Sequence, residues 1–208
     1  MTPMRTPITS DFGRRAALGL GAGAVVAALF PAAAFALTDA AARALIERTV
    51  ADVNRAIASG KTGAALYADF ERIFATYADV PVIARSALGV AARAASSAQM
   101  AAFTTAFRGY LARKYGKRFR EFIGTRFEVQ GARAVSSFYE VKSIAYMSGQ
   151  APFEVLWQVS DKSGKDKFFN LIIEGVNMLA SERTEIGAML DRRRGSLDAL
   201  IADLKTAG

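Results

Sequence analysis

The feature that most constrains this chain is a single excursion in its hydrophobic period. From Thr38 to about Ile123 the large apolar residues recur every three or four positions. From Phe127 to Val176 they alternate with period two, and from about Ala180 to Lys205 the helical spacing returns. Helices and strands are therefore segregated along the chain rather than alternating. That excludes a parallel sheet built from strand–helix–strand units and predicts the α+β class.

Four strands are predicted, over Phe127–Ala134, Ser137–Met147, Phe153–Ser160 and Lys167–Val176. Turn residues lie at Gly131, Ser148-Gly149 and Lys162–Lys165. Connections this short cannot carry a crossover, so the strands form an antiparallel meander. The third strand alternates Phe153, Val155, Trp157 and Val159 against Glu154, Leu156 and Gln158. The fourth is nearly all apolar, the pattern of a strand buried on both faces.

Helices are predicted over Thr38–Ser59 and Gly63–Tyr77. A short one starts at Val80-Pro81, capped by Asp79, and ends at Gly89. A long helix starts at Ser96 or Ser97 and runs to about Ile123. Met100, Phe103, Phe107, Tyr110, Leu111, Tyr115 and Phe119 form its apolar stripe, with Arg108, Arg113, Lys114, Lys117, Arg118 and Arg120 opposite. Two helices, about Ala180–Arg194 and Ser196–Lys205, close the chain. The predicted fold is thus N-terminal helices, a four-stranded antiparallel sheet and two C-terminal helices. Its core volume must come from 14 Phe, 6 Tyr, one Trp and the branched aliphatics, because 42 of the apolar residues are alanine.

Residues 1–36 read as a cleavable export signal. Arg14-Arg15 precede an uncharged run from Ala16 to Ala36 that closes on Ala34-Phe35-Ala36, a small-x-small cleavage site. The arginine pair suggests the twin-arginine route, with general secretion as the alternative. A membrane span is the competing reading, weakened by Pro31 and the Gly and Ala content. The expected mature domain, 37–208, carries a net charge of +6, from 24 basic and 18 acidic residues.

With no His and no Cys, imidazole base catalysis, thiolate chemistry, zinc and iron–sulfur sites and disulfides are excluded. No cofactor or metal is expected. Gly60-Lys61-Thr62-Gly63 imitates a phosphate loop, but the required earlier glycine is Arg55 and a helix precedes it, so it reads as a turn. Gly19, Gly21 and Ala24 imitate a dinucleotide fingerprint with no strand before it. Glu140 and Glu154 sit on adjacent strands, where ion pairs to Lys142 or a nearby Arg are expected. Asn170 and Glu174 share a face, with a turn-closing hydrogen bond as the plain reading of Glu174. The basic long helix and Arg192-Arg193-Arg194 read as solvated faces suited to an anionic membrane or acidic partner rather than to nucleic acid.

Several segments in fixed order carry a resemblance. They are Asp79-Val80-Pro81-Val82-Ile83-Ala84-Arg85 with Leu88-Gly89, and Gln99-Met100 followed by Phe103, Phe107, Leu111 and Tyr115. Val155-Leu156-Trp157, Ile173-Glu174-Gly175-Val176-Asn177-Met178, Arg183 and Leu197-Asp198-Ala199-Leu200-Ile201 with Leu204 complete the set. Together they resemble the MlaC family, the toluene-tolerance lipid carriers of the Gram-negative periplasm. The resemblance implies a non-enzymatic carrier with phospholipid acyl chains in a pocket between sheet and helices. It also implies exchange partners: an MCE-domain protein of an inner-membrane ABC transporter and an outer-membrane lipoprotein complex. Asn170, Asn177 and Ala91-Ala92 depart from the family pattern, where Asp, Ser and a large aromatic are frequent. A hopanoid-type lipid is an alternative ligand.

The pocket residues expected on this reading are Ile83, Leu88, Phe103, Phe107, Leu111 and Tyr115 from the helices, with Val155, Trp157, Phe169, Leu171 and Ile173 from the sheet. Two readings from other classes stand beside it. An exported α+β hydrolase would show a polar cavity around Glu140, Glu154 or Glu174. A lipid-independent adaptor protein would show a solid core.

Overall fold

A computed structural model describes residues 37–118, 125–147 and 149–208. The expected export signal, the end of the long helix beyond Arg118 and Ser148 lie outside the described residues.

All the α-helices but α2 start where the sequence supplies a side-chain cap. In α1 (Asp39–Ala58) the Thr38 hydroxyl accepts from the Ala41 N–H, and in α3 (Val80–Leu88) the Asp79 carboxylate accepts from the Val82 N–H. Between them α2 spans Gly63–Tyr77. α4 (Ser97–Arg118) opens with a reciprocal pair: Ser96 Oγ accepts from Gln99 N, and Gln99 Oε1 accepts from Ser96 N. α5 (Met178–Arg192) is capped by Asn177 and α6 (Leu197–Leu204) by Ser196. A 3₁₀ turn over Gly89–Arg93, not foreseen from sequence, continues from α3.

The sheet is an antiparallel meander in the order β1 (Arg126–Val135), β2 (Phe138–Tyr146), β3 (Phe153–Ser160), β4 (Lys167–Ile173), β5 (Val176–Asn177). It has five strands, not four. The run read as one strand turns back at Glu174-Gly175, where both residues hold positive φ (48° and 79°), as a two-residue hairpin turn requires. Glu at the first position hides this turn, since Asn or Asp is its usual signal. β4 is also not buried on both faces: only Phe168 and Asn170 are buried, and the rest are half-buried.

The inner face follows from register. Val155, Trp157 and Val159 of β3 stand opposite Ser143, Val141 and Tyr139 of β2, and opposite Ile173, Leu171 and Phe168 of β4. A bulge at Phe169 shifts the phase of β4, so Phe168 rather than Phe169 continues the Leu171–Ile173 row. α1 crosses β1, β2 and β3, while α3 and α5 pack against β4. α4 lies behind, against α2, α3 and α6.

The buried side chains form two separate clusters. The larger joins α1, α3, α4, α5, α6 and the sheet, with Phe103, Phe107 and Tyr110 stacked along α4 at centroid spacings of 5.6 and 6.0 Å. The smaller joins α1, α2 and α4 through Val53, Ala56, Leu66, Phe70, Ile73 and Ala112.

Gly89 ends α3 with φ 63° and ψ −131°, a conformation that disfavours any side chain. A Cβ there would also come within 3.3 Å of the Arg183 guanidinium. Gly89→Ala is therefore expected to cost about 1–3 kcal/mol. A lower urea midpoint at unchanged slope would show it, and an unchanged midpoint would contradict it.

Candidate functional site

Between the two clusters lies a cavity of about 690 Å³, within the usual range of ligand pockets. One wall is the sheet: Phe127 of β1, Phe153, Val155 and Trp157 of β3, and Phe168, Leu171 and Ile173 of β4. The facing wall comes from Thr49, Val50 and Val53 of α1, Phe70, Ile73 and Phe74 of α2, and Leu111 and Tyr115 of α4. Met178, Leu179 and Glu182 of α5 close the side.

The cavity has a buried end and an exposed end. Phe70 and Phe168 are at most 3% exposed, whereas Gln150, Ala151, Glu174 and Val176 are exposed. The exposed residues lie on the β2–β3 loop and the β4–β5 hairpin, at one end of the sheet. The mouth is at that end.

The polar groups of the wall are mostly satisfied by neighbouring groups of the protein. Thr49 Oγ1 donates to Leu45 O at 2.8 Å, inside α1. Trp157 Nε1 donates to Ser143 Oγ at 2.9 Å, inside the sheet. Asn170 Oδ1 accepts from Leu171 N and Leu179 N, and its Nδ2 donates to Gln158 Oε1. Thr49 and Trp157 therefore bring no unsatisfied donor to the cavity wall. A surface of this kind is a poor host for water and a good one for hydrocarbon.

A charged cluster stands at the α4–α5 edge. Lys114 Nζ donates to Glu182 Oε1 at 2.7 Å and to Glu185 Oε2 at 2.5 Å. Tyr115 donates to Glu182 Oε1 at 2.6 Å, and Tyr110 to Glu185 Oε1 at 2.7 Å. Burial, then the Glu185 carboxylate, pushes the Tyr110 phenol far up. Burial alone would lower the Lys114 ammonium, but its bonds to Glu182 and Glu185 outweigh it and hold the group above its ordinary value. The Glu185 carboxyl is held below its usual value, because the bonds from Lys114 and Tyr110 outweigh burial. Lys114 is thus a cation and Glu185 an anion at neutral pH.

The structure divides the expected pocket residues. Ile83, Leu111, Tyr115, Val155, Trp157, Phe169, Leu171 and Ile173 all border the cavity. Leu88, Phe103 and Phe107 do not: they sit in the larger cluster, at 5%, 0% and 0% exposure. The period that placed them on the apolar face of α4 could not separate its two halves. One half packs against α3 and α6, and the other borders the cavity. Sequence reasoning missed the contributions of α1 and α2, and also Phe168, whose phase depends on the bulge.

The structure also places the other charged and polar residues singled out from the sequence. Among the described side chains of the basic face of α4, Arg108 pairs with Glu71 and Lys114 with Glu182 and Glu185; the Arg118 side chain and Arg120 lie outside the described residues. Arg113 donates to the Ala207 and Leu204 carbonyls, and Lys117 to Gly208 O. Arg193 forms a two-pronged pair with Asp203. Glu140 pairs with Arg133, and Glu154 with Lys142, as expected for structural carboxylates. The Gly60–Gly63 segment is a turn whose Lys61 pairs with Asp69. The Glu174 backbone N–H donates to Glu154 O, tying the β4–β5 turn to β3. Asn177 caps α5 through its side chain, a task Ser can also perform. Ala92 is buried in the larger cluster, and neither Ala91 nor Ala92 borders the cavity.

Fold and site together define an α+β protein organised around a deep apolar cavity open at one end. Among the described residues no helix is long and apolar enough to cross a membrane, and no cluster of acidic residues is arranged to hold a metal ion. The family model for the MlaC protein matches residues 44–206, and the chain belongs to that family. A similar solved structure is the phospholipid-binding protein of Ralstonia solanacearum in complex with a phospholipid. It matches with a TM-score of 0.64 at 18% identity, covering 78% of this chain and 94% of that one.

The division of α4 has a measurable consequence. Phe107→Ala should leave a hole in a packed core and cost about 3–5 kcal/mol. Leu171→Ala, which mainly enlarges an existing cavity, should cost less than about 2 kcal/mol. Chemical denaturation of the two variants checks this, and equal losses would contradict it.

Proposed function

We propose that this protein is a periplasmic lipid carrier that holds phospholipid acyl chains in the cavity. It receives and delivers lipid between an outer-membrane lipoprotein complex and the MCE-domain protein of an inner-membrane ABC transporter. The observation that carries this reading is the cavity itself, deep, apolar and open at one end. Membership of the MlaC family and a phospholipid-bound structural relative support it.

The physics of the task agrees. A diacyl lipid hides roughly 30 methylenes, and exposing them to water costs on the order of 24 kcal/mol at about 0.8 kcal/mol each. Crossing an aqueous gap therefore needs a dry enclosure. Handoff is easy only if that enclosure and the membrane are nearly balanced in free energy. Burial and shape accomplish this without bond chemistry, so no enzymatic step is required. Glu140 and Glu154 are each held in an ion pair and do not line the cavity, and Glu174 stands at its exposed mouth. The cavity also speaks against an adaptor with a solid core.

Protein purified from the periplasm should yield stoichiometric diacyl phospholipid on extraction and mass spectrometry. Recovery of a hopanoid would keep the carrier and change its cargo. No lipid at all, with delipidated protein taking up none from vesicles, would sink the proposal.

A further inference from the structure

Leu37, the residue after the expected cleavage site, is already committed to the fold. It is 6% exposed and belongs to the larger core cluster. Its backbone N–H donates to Asp161 Oδ2 at 3.0 Å in a partly buried bond. Thr38, the next residue, caps α1, and Asp161 opens the turn from β3 into β4. One bond therefore joins two elements across 124 positions of sequence. The turn is closed in its own right, because the Gly164 N–H donates to the Asp161 carbonyl at 2.8 Å. The Asp161 carboxylate is thus presented from a fixed backbone.

Charge at this contact is incomplete. Among the described residues Asp161 has no cation as partner, and the peptide N–H of Leu37 is neutral. The adjacent Lys162 donates its ammonium to Ser137 Oγ at 2.8 Å. Cleavage of the export signal would supply the cation. Hydrolysis of the Ala36–Leu37 peptide bond adds one water, leaves a carboxylate on Ala36 and frees an α-amino group on Leu37. That group takes up a proton and is cationic at neutral pH. The charge arises on the same nitrogen that Asp161 already holds, so no rearrangement is needed. Coulomb attraction then adds to the hydrogen bond, and a partly buried pair is screened by salt less than an open surface pair.

We propose that Asp161 is the receptor for the N-terminal ammonium of the processed protein, so that cleavage between Ala36 and Leu37 adds an ion pair that fastens the start of α1 to the β3–β4 turn. This rests on the export-signal reading of residues 1–36 and deepens it: removal of the signal strengthens the fold as well as releasing the chain. The unprocessed chain has only the neutral donor at this position. The contact is separate from the lipid cavity, which neither Leu37 nor Asp161 borders.

The test begins with the intact mass of protein purified from the periplasm, which should place its N-terminus at Leu37. A chain that keeps the signal overturns both the signal reading and this inference. A cut at another residue overturns this inference alone. Thermal unfolding then compares Asp161→Asn in two delipidated backgrounds, the processed protein and a chain that retains Ala34-Phe35-Ala36 ahead of Leu37. Asparagine still accepts from an N–H but carries no charge. D161N should lower the midpoint of the processed protein by about 2–4 °C, and that of the extended chain by less than half as much. Equal losses in the two backgrounds, or no loss in either, overturn the ion pair. Should D161N fail to fold, the unsubstituted pair decides. The processed protein should then melt above the extended chain, and an equal or lower midpoint overturns the inference.

Discussion

A cavity of about 690 Å³ inside a domain of this size survives only if its walls cannot collapse and water gains nothing by entering. The first condition is met by splitting the core. One cluster packs α3, α4, α5 and α6 against the sheet, and a second packs α1, α2 and α4, so the walls are held from behind. The second condition is met by local satisfaction of wall polar groups, with Thr49 bonded inside α1 and Trp157 inside the sheet. The proposed lipid function depends on these two arrangements together.

The basic residues of α4 serve the same frame. Arg113 ties α4 to carbonyls at and just beyond the end of α6, and Lys114 ties it to two carboxylates of α5. These bonds position the helix whose Leu111 and Tyr115 form part of the cavity wall. Arg113 and Lys114, part of a face that looks like an electrostatic docking surface in sequence, are therefore spent on holding the molecule together. The small polar tasks of the family departures fit as well. Asn170 both accepts from α5 and donates to Gln158, and an ionised carboxylate could do only the first.

Much of the architecture was legible in the sequence because its signals are local. The Asp79 cap, a start of α4 at Ser96 or Ser97, the span of α2, and the β3 alternation all depend on neighbouring residues. What was not legible depends on tertiary context. The Glu174-Gly175 turn lacks the usual side chain, and the bulge at Phe169 moves Phe168 into phase with Leu171. The site was half-legible for a similar reason. An apolar stripe marks what is hidden from water, but not whether the hiding place is core or cavity. Phe103 and Phe107 belong to the first, Leu111 and Tyr115 to the second, on one continuous stripe. Glu182 could not be found by that signal at all, since a buried carboxylate contradicts the period that reveals the rest.

The central claim is that acyl chains run from the mouth at Gln150 and Val176 to the deep end at Phe70 and Phe168. The most direct measurement is photocrosslinking with a phospholipid bearing a diazirine at the acyl terminus, with the labelled residues mapped by mass spectrometry. The expected result is labelling of the deep wall on α2 and β4, in the segments containing Phe70, Ile73 and Phe168. Labelling confined to exposed surface, with none at these positions, would contradict it.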